Sequence, residues 1–207
     1  MIYYFHSERM PLYLLEGRWA WSPEHLPFTA NNPIVEVVRH AVSLDERRCN
    51  FIQNLWGHDP AMPTDVEQVW FPGVHCDVGG GYREGEAGLS KLALKWMVGE
   101  AERFGIRFNP KAKAIILPAK DTNEYAAASA TAVQHESLQG WWWIAEFFPK
   151  SIKDPANNFQ SRWIIPWGRY RRVLENAKIH GSVFERQKNH HPPYQPTNLP
   201  KQFDTVL

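Results

Sequence analysis

The sequence predicts an α/β fold, and three observations carry that reading. The β-branched and aromatic stretch Val66-Glu67-Gln68-Val69-Trp70-Phe71 is closed by Pro72-Gly73 and reads as a short strand. A glycine-punctuated loop follows it, through Gly79, Gly80 and Gly81. Beyond the loop, Leu89, Leu92, Ala93, Trp96, Met97, Ala101 and Phe104 recur at helical spacing, and Gly105 is placed to end that helix. Strand, loop and helix in this order are the building unit of an α/β sheet.

The remaining elements are less regular. Residues 1–32 are aromatic and irregular, broken by Pro11, Pro23 and Pro27. A helix is expected next: Asn32 can cap it, Pro33 suits its first position, and Ile34, Val37, Val38 and Ala41 mark one face. The run Asp45-Glu46-Arg47-Arg48 is expected to form a salt-bridged surface or a helix end. A loop rich in Pro and Asp, from Gly57 to Asp65, leads into the first strand described above. Ala114-Ile115-Ile116-Leu117 reads as a second short strand or a buried linker. From Leu138 the composition changes. Trp141, Trp142, Trp143, Trp163 and Trp167 stand among Phe147, Phe148 and prolines, with Arg162, Arg169, Arg171 and Arg172 close by. The tail from His190 to Pro200 is rich in Pro and Asn and is expected to run extended over the surface. There is no internal repeat.

A chain of 207 residues reads most simply as one compact domain. Its 43% hydrophobic and 22% charged residues are those of an ordinary globular protein. A net charge of +1 gives no long-range field for nucleic acid. Cys49 and Cys76 are the only cysteines, too few for a disulfide framework, so a reduced, cytoplasmic chain is expected. The start, MIYYFHSERM, lacks the basic and then apolar regions of a secretory signal. No apolar stretch reaches the roughly 18 residues that a spanning helix needs.

His75 is the candidate catalytic residue. It stands just beyond the carboxyl end of the expected strand, where open α/β sheets bind ligands. Histidine suits general-base work because its ordinary pKa of about 6.5 lies near working pH. Asp77, two residues on, is placed to orient the imidazole, and Gly79, Gly80 and Gly81 permit a close backbone approach. A purely structural turn would use the same glycines. Cys76 as a substitute nucleophile is disfavoured, because sequence neighbours rarely meet in attack geometry. A metal site is disfavoured because no second His or Cys cluster has the matching spacing, and His190 and His191 lie in the Pro-rich tail. The tryptophan-rich segment has two readings, a cap packed over the core or a membrane-facing surface, and the cap is preferred.

The segment VWFPGVHCDVGGGY, which contains His75, resembles the most characteristic motif of the α/β-hydrolase family that includes type VI secretion phospholipase effectors. The stretch from Leu26 to Arg48 is similar to a second block of that family, and weaker likeness continues to Pro200. The resemblance implies the carboxyl-terminal part of an α/β hydrolase over residues 19–135. A divergent segment, 1–18, precedes it, and an aromatic-rich helical or irregular extension, 136–207, follows. It implies a Ser-Asp-His triad acting on phospholipid or other lipid esters without a cofactor, with His75 on the histidine position. It implies delivery by a secretion system without a signal peptide. The other two members are missing. No G-x-S-x-G elbow occurs, no Trp-Asp-Thr segment is found, and no aspartate precedes Asp45. A truncated or internally started gene product is therefore expected, inactive by itself or dependent on a partner chain for the missing half. A non-catalytic interaction or membrane-surface module is the alternative.

Overall fold

The computed structural model describes residues 35–51, 55–56, 65–154 and 160–207. In chain order the elements are β1 (Val37–Ser43), β2 (Asp65–Phe71), α1 (His75–Gly79), α2 (Gly88–Arg103), α3 (Pro110–Ile116), α4 (Trp142–Glu146), β3 (Lys150–Asp154), β4 (Gln160–Ile164), β5 (Ala177–His180), α5 (Gly181–Asn189) and β6 (Phe203–Val206). Four strands form a parallel sheet in the order β1-β2-β5-β6. β3 and β4 form a separate antiparallel pair. The divergent segment 1–18 lies outside the described residues.

β2 organises the core on both faces of the sheet. Side chains alternate along a strand, so Val69 and Phe71 point one way and Trp70 the other. Val69 and Phe71 pack with Val78 and with Ala93 and Trp96 of α2. Trp70 packs with Val42, Leu44, Ile179 and Val183, the last from α5. The expected strand and the expected helix are both present. Gly105 follows α2 at φ +85°, a conformation that favours glycine.

Two expected elements are different. Val37, Val38 and Ala41 lie on a strand, not a helix, and β1 pairs with β2 along its whole length from Val37↔Asp65 to Ser43↔Phe71. The spacing of apolar residues fits either element over so short a span. β-branched residues at 37, 38 and 42 and an adjacent strand to pair with decide for strand. Asn32, Pro33 and Ile34 lie outside the described residues. Residues 114–116 are helical rather than a strand or buried linker, with Ile115 and Ile116 exposed. Asn109 caps α3 by accepting from the Lys111 and Ala112 amides, and Pro110 takes the first helical position. That Asn-Pro pair was the legible signal.

The aromatic-rich segment does not form a buried cap. Trp141, Phe148 and Trp163 are 85%, 61% and 72% exposed, and the one residue that α4 buries is Glu146. The tail is irregular from His191 to Gln202, as expected, but it is anchored. Tyr194 donates to Asp45 (2.8 Å), and Asn198 donates to the carbonyls of Leu44 (2.9 Å) and Arg171 (3.0 Å). It then adds β6 to the sheet beside β5.

Candidate functional site

The site is built from the carboxyl ends of β1 and β2. β2 stops at Pro72-Gly73, where Gly73 has φ +107°. A Cβ at Gly73 would lie 2.5 Å from Cβ of Asp77. Gly73→Ala combines a strained backbone with a steric overlap. It is expected to destabilise the fold by about 2–4 kcal/mol, read as a lower urea midpoint at unchanged slope.

His75 is the first residue of α1 and is exposed. Its backbone N–H donates to Glu46 Oε2 at 3.0 Å. Its ring lies against Phe51, with centroids 5.0 Å apart. Among the described residues nothing hydrogen-bonds the imidazole. Partial burial lowers the pKa of His75, the Arg171 and Arg48 charges lower it further, and Glu46 opposes them. The net effect favours the neutral imidazole, the form a general base needs.

Asp77 does not orient His75. Its carboxylate is buried and turned to the other side of the loop. Oδ2 accepts from the Val74 amide (3.0 Å) and the His135 amide (3.1 Å), and Oδ1 lies 2.7 Å from His135 Nδ1. Tyr82 stacks on the His135 ring at 3.5 Å between centroids. Asp77 thus ties the histidine loop to the segment before α4. The helical turn of α1 is the reason: residues two apart on a helix point to different faces. Of the three loop glycines, Gly80 (φ +83°) and Gly81 (φ +126°) need the left-handed backbone; Gly79, the last residue of α1, does not. Cys76 packs beneath Gly81, its Sγ 3.6 Å from where a Cβ would stand.

The Asp45-Glu46-Arg47-Arg48 run is salt-bridged, through Arg48–Glu46 and Arg47–Glu136, but its two acids are not at the surface. Asp45 and Glu46 are buried at the end of β1, and both hold the histidine loop. Asp45 Oδ2 accepts from the Gly73 amide at 2.6 Å. Burial raises the pKa of Asp45, and the bonds from Gly73 and Tyr194 oppose it. Glu46 is the hub. It accepts from the amides of Arg47, Arg48 and His75, from the Arg48 guanidinium and from Ser137 Oγ (2.8 Å). Burial alone would raise its pKa, but these donors, led by Arg48, outweigh it and hold the carboxyl at about 2. Arg171, largely removed from water, donates to the Ser43 and Phe51 carbonyls beneath the site. Burial lowers the pKa of Arg171 to about 10.

Sequence reasoning missed Glu46, Ser137 and His135. Ser137 and His135 carry no local signal, since they reach the loop only through the fold. Among the described residues no cluster of three or more His, Cys, Asp or Glu is placed to hold a metal ion. Among the same residues no helix is long and apolar enough to cross a membrane.

A parallel sheet with an exposed histidine on a glycine loop at the carboxyl end of a strand defines an α/β protein with a candidate general base. Comparison with known proteins agrees with the resemblance read from the motifs. Residues 10–100, which include β1, β2 and His75, match the family described as "T6SS, Phospholipase effector Tle1-like, catalytic domain". A curated relative, "Uncharacterized protein YEL023C" of Saccharomyces cerevisiae, is 48% identical over 54 residues. Those residues are 25% of this chain and 8% of that protein, so the chain spans less than a tenth of the relative it matches. No solved structure matches.

Proposed function

We propose that this chain carries the histidine-bearing part of a serine-hydrolase site for phospholipid or other lipid esters, with His75 as general base. The observation that carries the reading is the geometry of His75. Its backbone is held by buried Glu46, while its imidazole is exposed and free of hydrogen bonds among the described residues. A base must be fixed in place yet open to the proton it removes. The match of residues 10–100 to a phospholipase catalytic-domain family supports the choice of ester substrate.

In such a site His75 takes the proton of a serine hydroxyl as it attacks the ester carbonyl, then returns it to the departing alcohol. No G-x-S-x-G elbow occurs in these 207 residues, and this reading assigns the serine to a partner segment. Asp77 belongs to the support of the loop, so it is not the acid that faces the imidazole in this reading. Delivery by a secretion system, as the matched family's description suggests, fits this reading.

A chimera tests it. The histidine-bearing part of a Tle1-like phospholipase is replaced by residues 19–135 of this chain, leaving the elbow and acid of the host in place. The expected result is recovered hydrolysis of phospholipid vesicles, dependent on His75. A folded chimera whose activity survives His75→Ala defeats the assignment. The absent elbow favours one other reading for the isolated chain, a non-catalytic interaction module; a folded, inactive chimera is what that reading expects.

A further inference from the structure

We propose that the apolar recess between α2 and α3 docks an acidic amphipathic helix of a partner protein. The proposal does not rest on the catalytic reading. Leu94 and Val98 of α2 line the recess on one side, and Phe108, Ala112, Ile116 and Leu117 on the other. Leu94 and Val98 stand one turn apart, on a different face of α2 from Ala93 and Trp96, which pack on the sheet. The two polar residues of the lining are already engaged. Asn109 caps α3, and Lys113 pairs with Glu102 at 2.6 Å. An occupant is therefore held here by apolar contact. Leu94, Phe108 and Ile116 are 37%, 39% and 41% exposed. Large apolar side chains left in water around one recess mark an interaction site.

Shape and size narrow the occupant. The recess holds about 190 Å³. That is less than the roughly 300–1,000 Å³ of sites that enclose a small molecule. It fits an apolar anchor side chain of a partner, with further contacts along the two helices. A bilayer surface offers no protrusion to fill a depression. An amphipathic helix does, through apolar residues at i, i+3, i+4 and i+7.

Charge narrows it further. Residues 103–120 contain five Lys and Arg and no Asp or Glu. Arg103 and Lys113 are paired with Glu100 and Glu102 of α2. Arg107, Lys111 and Lys120 are exposed and have no ion-pair partner among the described residues. The charge left over in the segment that forms one wall of the recess is therefore positive. A second copy docked face to face would bring the same charge. A helix with acidic residues beside its apolar stripe complements it.

The test uses the whole 207-residue chain. The probe is a fluorescein-labelled synthetic helix of about 14 residues, with leucine at i, i+3, i+4 and i+7 and glutamate at most other positions. One control peptide carries lysine for glutamate, another serine for leucine. Binding is read as fluorescence anisotropy. The acidic peptide is expected to bind at least about tenfold more tightly than either control. Ala112→Trp fills the recess from an exposed position and is expected to lose at least about tenfold. Arg107→Glu with Lys111→Glu is expected to lose about fivefold for the acidic peptide and to gain a similar factor for the lysine peptide. These three positions are exposed, so circular dichroism and the thermal midpoint should stay close to wild type. Absence of binding, equal binding of the acidic and lysine peptides, or binding that Ala112→Trp leaves intact overturns the proposal. So does self-association that Ala112→Trp abolishes, which makes a second copy the occupant. Binding to phosphatidylglycerol vesicles that Ala112→Trp abolishes overturns it too, in favour of a bilayer.

Discussion

In the chimera, His75→Ala is expected to lower phospholipid hydrolysis by at least about a thousandfold, with vesicle binding unchanged. The magnitude follows from what alanine removes. Without the imidazole, the serine hydroxyl has no group to take its proton, and the alkoxide forms unaided. The other members of a triad do not compensate, because their effects are strongly non-additive. The pH profile gives an independent check. The active base is the neutral imidazole, so the rate rises with pH through the His75 pKa. Of the charges that lower that pKa in this chain, Arg48 lies within the transplanted residues 19–135 and Arg171 does not, so the check is the shift of the acid limb that Arg48 produces. Arg48→Ala removes one of those charges, although it also disturbs Glu46. Its acid limb should move to higher pH, and a limb that stays in place would count against His75 as the titrating base.

The second large effect concerns stability. Glu46→Gln is expected to destabilise the protein by about 3–5 kcal/mol, measured by urea denaturation near neutral pH. The carboxylate is buried and satisfies donors from four residues, Arg47, Arg48, His75 and Ser137. The amide keeps the shape but loses the charge, leaves Arg48 poorly compensated and points N–H groups at other donors. The sign of the pH dependence is fixed by the shift. A carboxyl ordinarily near 4.5 and held at about 2 in the fold favours folding at neutral pH. That contribution, about 3 kcal/mol, is present above pH 4.5 and is lost as pH falls towards 2. His180 adds an earlier acid-sensitive step. Burial lowers it from 6.5 to about 4, so the folded state prefers the neutral ring and loses stability as pH falls from 6.5 to 4. Wild type should therefore weaken in two stages on acidification. Glu46→Gln should keep the first stage and lose most of the second; a second stage of undiminished size would remove Glu46 as its source.

These two residues also differ in how visible they were. His75 could be read from the chain because its signals are local: a strand ending at Pro72-Gly73, a glycine loop and a helix after it. Glu46 sits in a run of alternating charges, a pattern that more often marks a solvated face. Its burial comes from β1 pairing with β2, which brings the end of one strand under the loop of the other. The pairing itself was hidden, because Val37, Val38 and Ala41 fit a helical stripe as well as a strand. Asp77 shows the same limit on a smaller scale. It stands next but one to His75, yet a single helical turn sends the two side chains to different partners.

The sequence by itself determined the α/β class and the strand and helix that frame the loop, and it offered His75 as the candidate base of the proposed site. Each of these rests on period, turn chemistry or motif, which act over a few consecutive residues. Tertiary structure alone decided which carboxylates hold that loop, that His135 and Ser137 belong to its support, and that the tryptophans face outward around a buried Glu146. Those outcomes depend on contacts between residues as much as 97 positions apart, where burial and hydrogen-bond satisfaction rather than local preference set the partner.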